Sequence, residues 1–264
     1  MPTPIVSDRF SPTIFRHAIS AVLLGCFITV SGQDNGELAM RARIHLYETW
    51  NFDSVAYYHK KVIGKKHTPA FAYSDYGWFL MLKGKHDEAL EMIKKAAQMD
   101  RADKQLATWY AWALLWYGKQ SEARQEIRRA LDIAPKYGEA LFVASLIASE
   151  DEDHAAAIQY AKAGAAADKN WRGGIPLAFA QAGRNGDAIE IAVRYSRDET
   201  QFDLMPLAET YAILGAYDRA LEYLQKAYEQ KHPFFPWVEF WPETRALQAD
   251  PRFKSILDRL NLKN

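Results

Sequence analysis

Apolar residues recur at helical spacing at Ala107, Tyr110, Ala111 and Leu114, break at Gly118, and resume at Ala123, Ile127 and Ala130 before Pro135. The spacing predicts a helix closed by a glycine, then a second helix from Ser121 that Pro135 stops. The pattern is a repeat. Leu80 to Ala96 reads LMLKGKHDEALEMIKKA, and 34 positions later Leu114 to Ala130 reads LLWYGKQSEARQEIRRA. The two share L-x-x-x-G-K-x-x-E-A-x-x-x-I-[KR]-[KR]-A. The Gly84/Ala89 and Gly118/Ala123 pairs return as Gly183/Ala188 and Gly215/Ala220, and a further copy keeps Ala157 with Glu152 at the glycine position. Upstream, Trp50 to Val62 aligns at the same offset.

Each unit is therefore a helical hairpin, too short to bury its apolar side alone, and stacking of neighbours supplies the core. Small alanines at the first inward position of the second helices allow close helix approach. About six units are expected, near residues 36–69, 70–103, 104–137, 138–170, 171–200 and 201–232. The first is degenerate. The fifth is short, and Gly173, Gly174 and Pro176 weaken its first helix. Beyond it, the segment from about 233 to 264 is not a repeat. Asp250-Pro251 is a sound helix start, and Phe253, Ile256, Leu257 and Leu260 give that helix an apolar face. The expected fold is all-α, a right-handed superhelical solenoid of about six hairpins with a C-terminal capping helix.

These units resemble the tetratricopeptide repeat family. Its W-x2-L-G-x2-Y…A-x3-F…P signature stands here as Tyr73-x2-Tyr76-Gly77-x2-Leu80…Ala89-x3-Ile93 and as Ala107-x2-Tyr110-Ala111-x2-Leu114…Ala123-x3-Ile127…Pro135. A later copy reads Leu204-x2-Leu207-Ala208-x2-Tyr211…Ala220-x3-Leu224. The closing stretch, with Asp250-Pro251-Arg252-Phe253, is similar to the C-terminal repeat segments of bacterial sensor and regulator proteins. That resemblance implies a scaffold or sensing role. It carries no DNA-binding claim, because an export-type segment stands where an output domain would be attached.

The family's concave surface is lined by repeat positions 2, 5, 9, 12 and 13 of the first helices. On this resemblance the groove comprises Met40, Ile44, Tyr47, Ser74, Trp78, Met81, Thr108, Trp112, Leu115, Trp116, Phe142 and Leu146. Trp78 and Trp112 share one repeat position, so their rings are expected side by side as contacts for a peptide segment or partner helix. The alternative is that Trp78, Trp109 and Trp112 wedge between units as core. The family's carboxylate clamp needs Lys and Asn where this chain has Met40, Ser74 and Thr108, then Ile44, Trp78 and Trp112. A chaperone cofactor of that kind is not indicated.

Composition narrows the picture further. Thirty-three basic residues balance 33 acidic ones, which gives no global field for nucleic acid. The pairs Lys60-Lys61, Lys94-Lys95 and Arg128-Arg129 recur with the repeat and read as a solvated stripe, with a weak acidic or membrane-surface contact as the alternative. At the N-terminus, Arg9, Arg16 and His17 precede an apolar run from Ala18 to Val30, too short to span a bilayer comfortably and suited to a secretory signal. Residues 1–32 are accordingly expected to be a signal peptide cleaved after Gly32, or a signal anchor. The repeat solenoid would then fill 33–264, outside the cytoplasm, in the periplasm or secreted. Cys26 in VLLGC is an imperfect lipobox, so lipidation there is the second route to a membrane. With cleavage after Gly32 no cysteine remains for disulfides or metal thiolates.

Catalytic motifs are absent: no G-x-S-x-G, phosphate loop, H-E-x-x-H or C-x-x-C. The histidines His17, His45, His59, His67, His86, His154 and His232 lack metal-ligand spacing and are expected at helix surfaces or hairpin turns. Ser149 to His154 gathers four carboxylates without the glycine and distal glutamate of a calcium loop. The expectation is a non-catalytic, cofactor-free, exported scaffold or sensor. Its alternative is a small-ligand-binding protein or an accessory subunit of a cell-envelope enzyme or lipoprotein complex.

Overall fold

The computed structural model describes residues 35–262, and all regular structure among them is helical. The signal segment, Cys26 and the cleavage position after Gly32 lie outside the described residues. Six hairpins follow one another: α1 (Asn35–Ile44) with α2 (Phe52–Val62), α3 (Ala70–Leu82) with α4 (His86–Met99), and α5 (Lys104–Trp116) with α6 (Gln120–Ile133). Then come α7 (Gly138–Glu150) with α8 (His154–Ala167), α9 (Gly174–Gln181) with α10 (Asn185–Tyr195), and α11 (Leu204–Ile213) with α12 (Tyr217–Glu229). Two 3-10 helices, Phe235–Phe240 and Pro242–Leu247, lead into the final helix α13 (Pro251–Asp258). The protein is an all-α solenoid. No helix among the described residues is long and apolar enough to cross a membrane.

Turn chemistry sets the hairpins. At the ends of α3, α5, α9 and α11, Gly84, Gly118, Gly183 and Gly215 take φ of +70°, +68°, +70° and +72°. The amide of the next residue reaches back across the turn, as when Lys119 N donates to Leu114 O at 2.9 Å. This is the left-handed helix stop that glycine makes at least steric cost. In the fourth hairpin Glu152 holds the same place at φ +59°, and Asp153 N still donates to Ala148 O at 2.9 Å. The repeat geometry thus overrides the residue's own preference. Helix starts are capped by side chains: Asp103 accepts from Gln105 N and Leu106 N at the start of α5, Asp153 from Ala156 N before α8, and Asp250 from Arg252 N before α13. Asp153 is thus a helix cap, and its neighbour Asp151 pairs with Arg124 at 2.5 Å.

The inward alanines Ala89, Ala123, Ala157, Ala188 and Ala220 are fully buried. A Cβ on the facing Gly77 would stand 2.5 Å from Ile93 Cγ1 and 2.7 Å from the Ala89 carbonyl oxygen, so the backbone of one helix lies directly on the other. Gly173 and Gly174 have a use their sequence context hid. A Cβ on Gly173 would meet Pro206 at 3.0 Å, and one on Gly174 would meet the Phe142 ring at 2.8 Å. The fifth hairpin weakens its first helix in order to pack tightly on the fourth and sixth.

The basic pairs lie on the outer side as expected, with Lys60, Lys61, Lys95 and Arg128 exposed. Arg129 is tied to Glu126 at 2.6 Å, while Lys61 and Lys95 cover the rings of Tyr57 and Tyr73. Two histidines depart from the expected surface. His59 is 0% exposed against Tyr76 and Phe79, with neither ring nitrogen hydrogen-bonded, and His232 is 2% exposed. Stacking turns the face of α2 that carries His59 against α3, so a residue that looked like surface becomes core.

Two measurements follow from these environments. Glu152→Gly should raise the stability read from urea unfolding by about 0.5–1 kcal/mol, whereas Gly118→Ala should lower it by about the same amount. Burial lowers the His59 pKa from 6.5 to about 3. The native ring therefore stays neutral where the unfolded chain takes up a proton. His59's contribution is present above pH 6.5 and is lost as pH falls toward 3. The thermal midpoint should drop over that window, and His59→Leu should flatten the drop by up to about 1.4 kcal/mol per pH unit. His232 and the buried carboxylates titrate alike in both chains, so the difference isolates His59.

Candidate functional site

Of the predicted groove residues, Tyr47, Trp78, Trp112 and Trp116 come together around one small void, and Trp112, Leu115, Trp116, Phe142 and Leu146 line a second recess. They meet the chain's own C-terminal segment. Trp237, 1% exposed, stands edge-on to Trp78 with ring centres 5.9 Å apart and tilted against Tyr47 at 5.6 Å. Its indole N–H donates to the Trp78 carbonyl oxygen at 3.0 Å. Phe234 and Trp241 contact Trp112 at 5.4 and 6.2 Å, and Trp241 also contacts Trp116 at 6.2 Å. The Thr244 hydroxyl can donate to Val238 O at 2.8 Å or Trp241 O at 2.9 Å, which joins the two 3-10 helices.

This corrects the expectation of an open groove contacting a partner through Trp78 and Trp112. Both indoles are buried, at 6% and 3% exposure. Nor do their rings lie side by side, because Trp116 stands between them, 5.4 Å from Trp78 and 5.6 Å from Trp112. Ser74, Met81, Thr108 and Phe142 are buried as well, the Thr108 hydroxyl donating to Lys104 O at 2.8 Å within its own helix. Met40, Ile44, Tyr47, Leu115, Trp116 and Leu146 remain half-buried. The void left among Tyr47, Trp78, Trp112 and Trp237 is only about 10 Å³. Such a site is filled.

The filling segment belongs to the core. Phe235, Trp237, Val238 and Leu247 are each at most 1% exposed, and burying such side chains contributes roughly 2 kcal/mol apiece. Together that approaches the whole marginal stability of a domain, about 5–15 kcal/mol. Release of the segment would therefore unfold much of the molecule.

Polar groups buried between units complete the arrangement. Arg43 forks onto Asp75 at 2.7 and 3.1 Å while lying over the Phe71 ring, and the Tyr47 hydroxyl donates to Asp75 at 3.3 Å. Burial pushes the Asp75 carboxyl up and the Arg43 guanidinium opposes it. Trp109 Nε1 donates to Glu139 at 2.8 Å, and the Tyr137 hydroxyl donates to the same carboxylate. Trp109 is thus the indole that wedges between the third and fourth hairpins. Between the fifth and sixth, Arg172 bonds both Asp198 and Asp203.

Where the C-terminal segment leaves the inner face, a cavity of about 270 Å³ opens beside Trp112, Trp116, Phe142, Leu146 and Trp241. Glu209 lies in its wall, 2% exposed, with Oε1 lacking any hydrogen-bond partner. Half-buried Glu243 also lines it and accepts from Gln181 Nε2 at 2.9 Å, and exposed Glu150 and Arg245 stand at the mouth. Burial pushes the Glu209 carboxyl well above its ordinary range, and the nearby Glu243 charge adds to this. Burial likewise raises Glu243, with Glu150 adding and Gln181 opposing. None of these acids was among the predicted site residues. Glu209 was findable, since it occupies in the sixth unit the repeat position that Trp78 and Trp112 hold in the second and third.

Family models for the tetratricopeptide repeat match residues 80–146 and 206–231. The chain carries tetratricopeptide repeats. The matched spans contain the glycine stops at Gly84, Gly118 and Gly215, and miss Gly183 with the short fifth unit and the C-terminal segment. Among solved structures, this repeat protein is similar to PilW, titled a widely conserved type IV pilus biogenesis factor, at 16% identity and a TM-score of 0.57, covering 88% of this chain and 100% of that one. A thermophilic repeat protein of Thermus thermophilus matches at 20% identity and TM-score 0.50, over 67% of this chain and 98% of that one. One from Parabacteroides merdae matches at 16% and 0.50, over 87% and 93%. Identities this low show the shared fold alone. No curated protein matches the chain.

Trp237→Ala should cost about 3–5 kcal/mol in urea unfolding and shift tryptophan emission to the red as Trp78 meets water. Trp237→Phe, which keeps most of the packing and loses the 3.0 Å bond to Trp78 O, should cost roughly 1 kcal/mol beyond its volume change.

Proposed function

We propose that the protein is a non-catalytic interaction scaffold, exported from the cytoplasm, that holds a peptide segment of a partner against the open end of its inner face. The observation that carries this reading is the way the inner face already grips a 3-10 helical, proline-interrupted aromatic segment of its own chain. Stacked rings and a backbone-directed hydrogen bond, Trp237 Nε1 to Trp78 O at 3.0 Å, hold that segment. The same kind of surface continues past the segment at Leu115, Trp116 and Leu146, which are half-buried and border the cavity. Aromatic anchors beside a recess are the residue types that dominate interface energies. The balance of 33 basic and 33 acidic residues supports a protein partner over nucleic acid. Export rests on the apolar run from Ala18 to Val30 and the small residues before Gln33.

The test is photocrosslinking in intact cells from single probes at Leu115 and Leu146, with a probe at exposed Tyr57 for comparison. One discrete protein adduct from the first two positions and none from Tyr57 is the expected result. Adducts from Tyr57 alone, or from none of the three, would overturn the placement. Intact mass of the chain recovered from the envelope should correspond to a start at Gln33. A lipid-modified start at Cys26 would replace soluble export by anchoring, and a full-length cytosolic chain would remove export altogether.

A further inference from the structure

We infer that the cavity bounded by Trp112, Trp116, Trp241 and the carboxylates Glu150, Glu209 and Glu243 is a binding site for a small organic ammonium group. Its volume, about 270 Å³, is that of roughly nine waters at liquid density, enough for an amine of several heavy atoms. Its walls carry two features that suit that class of ligand. Indole faces attract a cation through the ring quadrupole, most strongly where water is excluded. Glu150 and Glu243 supply counter-charge, and Glu209, which burial biases toward its protonated form, releases its proton to solvent as an ammonium enters and then accepts the N–H bonds.

The observation that asks for a ligand is Glu209. A glutamate that is 2% exposed with an oxygen lacking any partner is costly to fold around, and this one lines the cavity. Gln181 donates its amide to Glu243 and not to Glu209. Arg245 at the mouth is exposed and makes no ion pair with any of the three acids among the described residues. Its charge acts on Glu243 from a distance and leaves Glu209 without a counter-charge. A metal ion is a poor fit, because no set of three ligating side chains is placed to hold one among the described residues, and the remaining walls are aromatic. An organic cation answers the Glu209 carboxyl, and its apolar body fits the ring walls of Trp112, Trp116 and Trp241, although the unpartnered N–H groups of Trp112 and Trp241 gain no acceptor from it.

The site shares the open surface on which the scaffold reading rests, and its ligand is either a free amine or the lysine side chain of a bound segment. Titration of the full chain with butylammonium, followed by tryptophan fluorescence and calorimetry, tests it, with butan-1-ol as the uncharged comparison. Saturable binding of butylammonium and none of the alcohol is expected. Glu209→Gln, which keeps the shape and cannot ionise, should weaken the amine by about tenfold or more with the melting temperature little changed. If that variant folds poorly, Glu243→Gln at the half-buried edge should weaken the amine in the same direction. Equal binding of the alcohol, no saturation by the amine, or an affinity unaffected by both substitutions would overturn the inference.

A lysine-bearing pentapeptide and its norleucine counterpart separate the sources. Preference for the lysine peptide identifies a partner's side chain. Binding of butylammonium with neither peptide retained would keep the ammonium site while removing support for the scaffold reading at this surface.

Discussion

Trp237 seated among Tyr47, Trp78 and Trp109 is the contact on which the arrangement of the inner face depends. A stack of helical hairpins buries the flanks of each unit against its neighbours but leaves the inner ends of the first helices facing whatever lies inside the curve. In this chain those ends carry Tyr47, Trp78, Trp112 and Trp116, far too much aromatic surface to leave in water. The C-terminal segment covers them. Its two short 3-10 helices, rich in proline and aromatic residues, suit the task because they expose few backbone groups that need a helical partner and offer rings on several sides at once.

That solution redistributes function along the inner face. Where the segment lies, the surface is core, held by Trp237 and by Phe235 at 0% exposure, and has no room for a second occupant. Where it leaves the face, at Pro242, the covering ends before the acids of α7 and α11 have partners. The cavity at Glu209 is the remainder of a groove only partly consumed by its own chain. An unsatisfied carboxylate at the edge of an otherwise closed aromatic core separates a ligand-binding reading from a purely structural one.

Polar contacts between successive hairpins do different work. The Arg43–Asp75 fork, the Trp109–Glu139 bond and the Arg172–Asp203 bond each connect neighbouring units, and each has a charged or polar group with little access to water. Breaking one leaves a buried charge alone, which is costly, so these pairs fix how each unit is set on the next more than they add to net stability. The glycines at 173 and 174 act in the same sense through space, since the fifth hairpin can approach Phe142 and Pro206 only without side chains there.

The repeat, the hairpin joints, the glycine stops and the final capped helix were all legible in the sequence, because each depends on residues close together in the chain: Gly118 closes α5, Asp250 starts α13, and Ala123 faces its own hairpin partner. That Tyr47, Trp78, Trp112 and Trp116 share one region was legible too, through their repeat positions. What tertiary structure alone decided was their company. His59 became core because α3 packs over it. Trp78 and Trp112 became buried because a segment some 120 to 160 residues further on returns to them, a closure no local pattern encodes. Glu209 lost its solvent without gaining a partner for the same reason. Local spacing determines which helices form and which faces are apolar, while the pairing of those faces depends on long-range burial, and it is there that the candidate site arose.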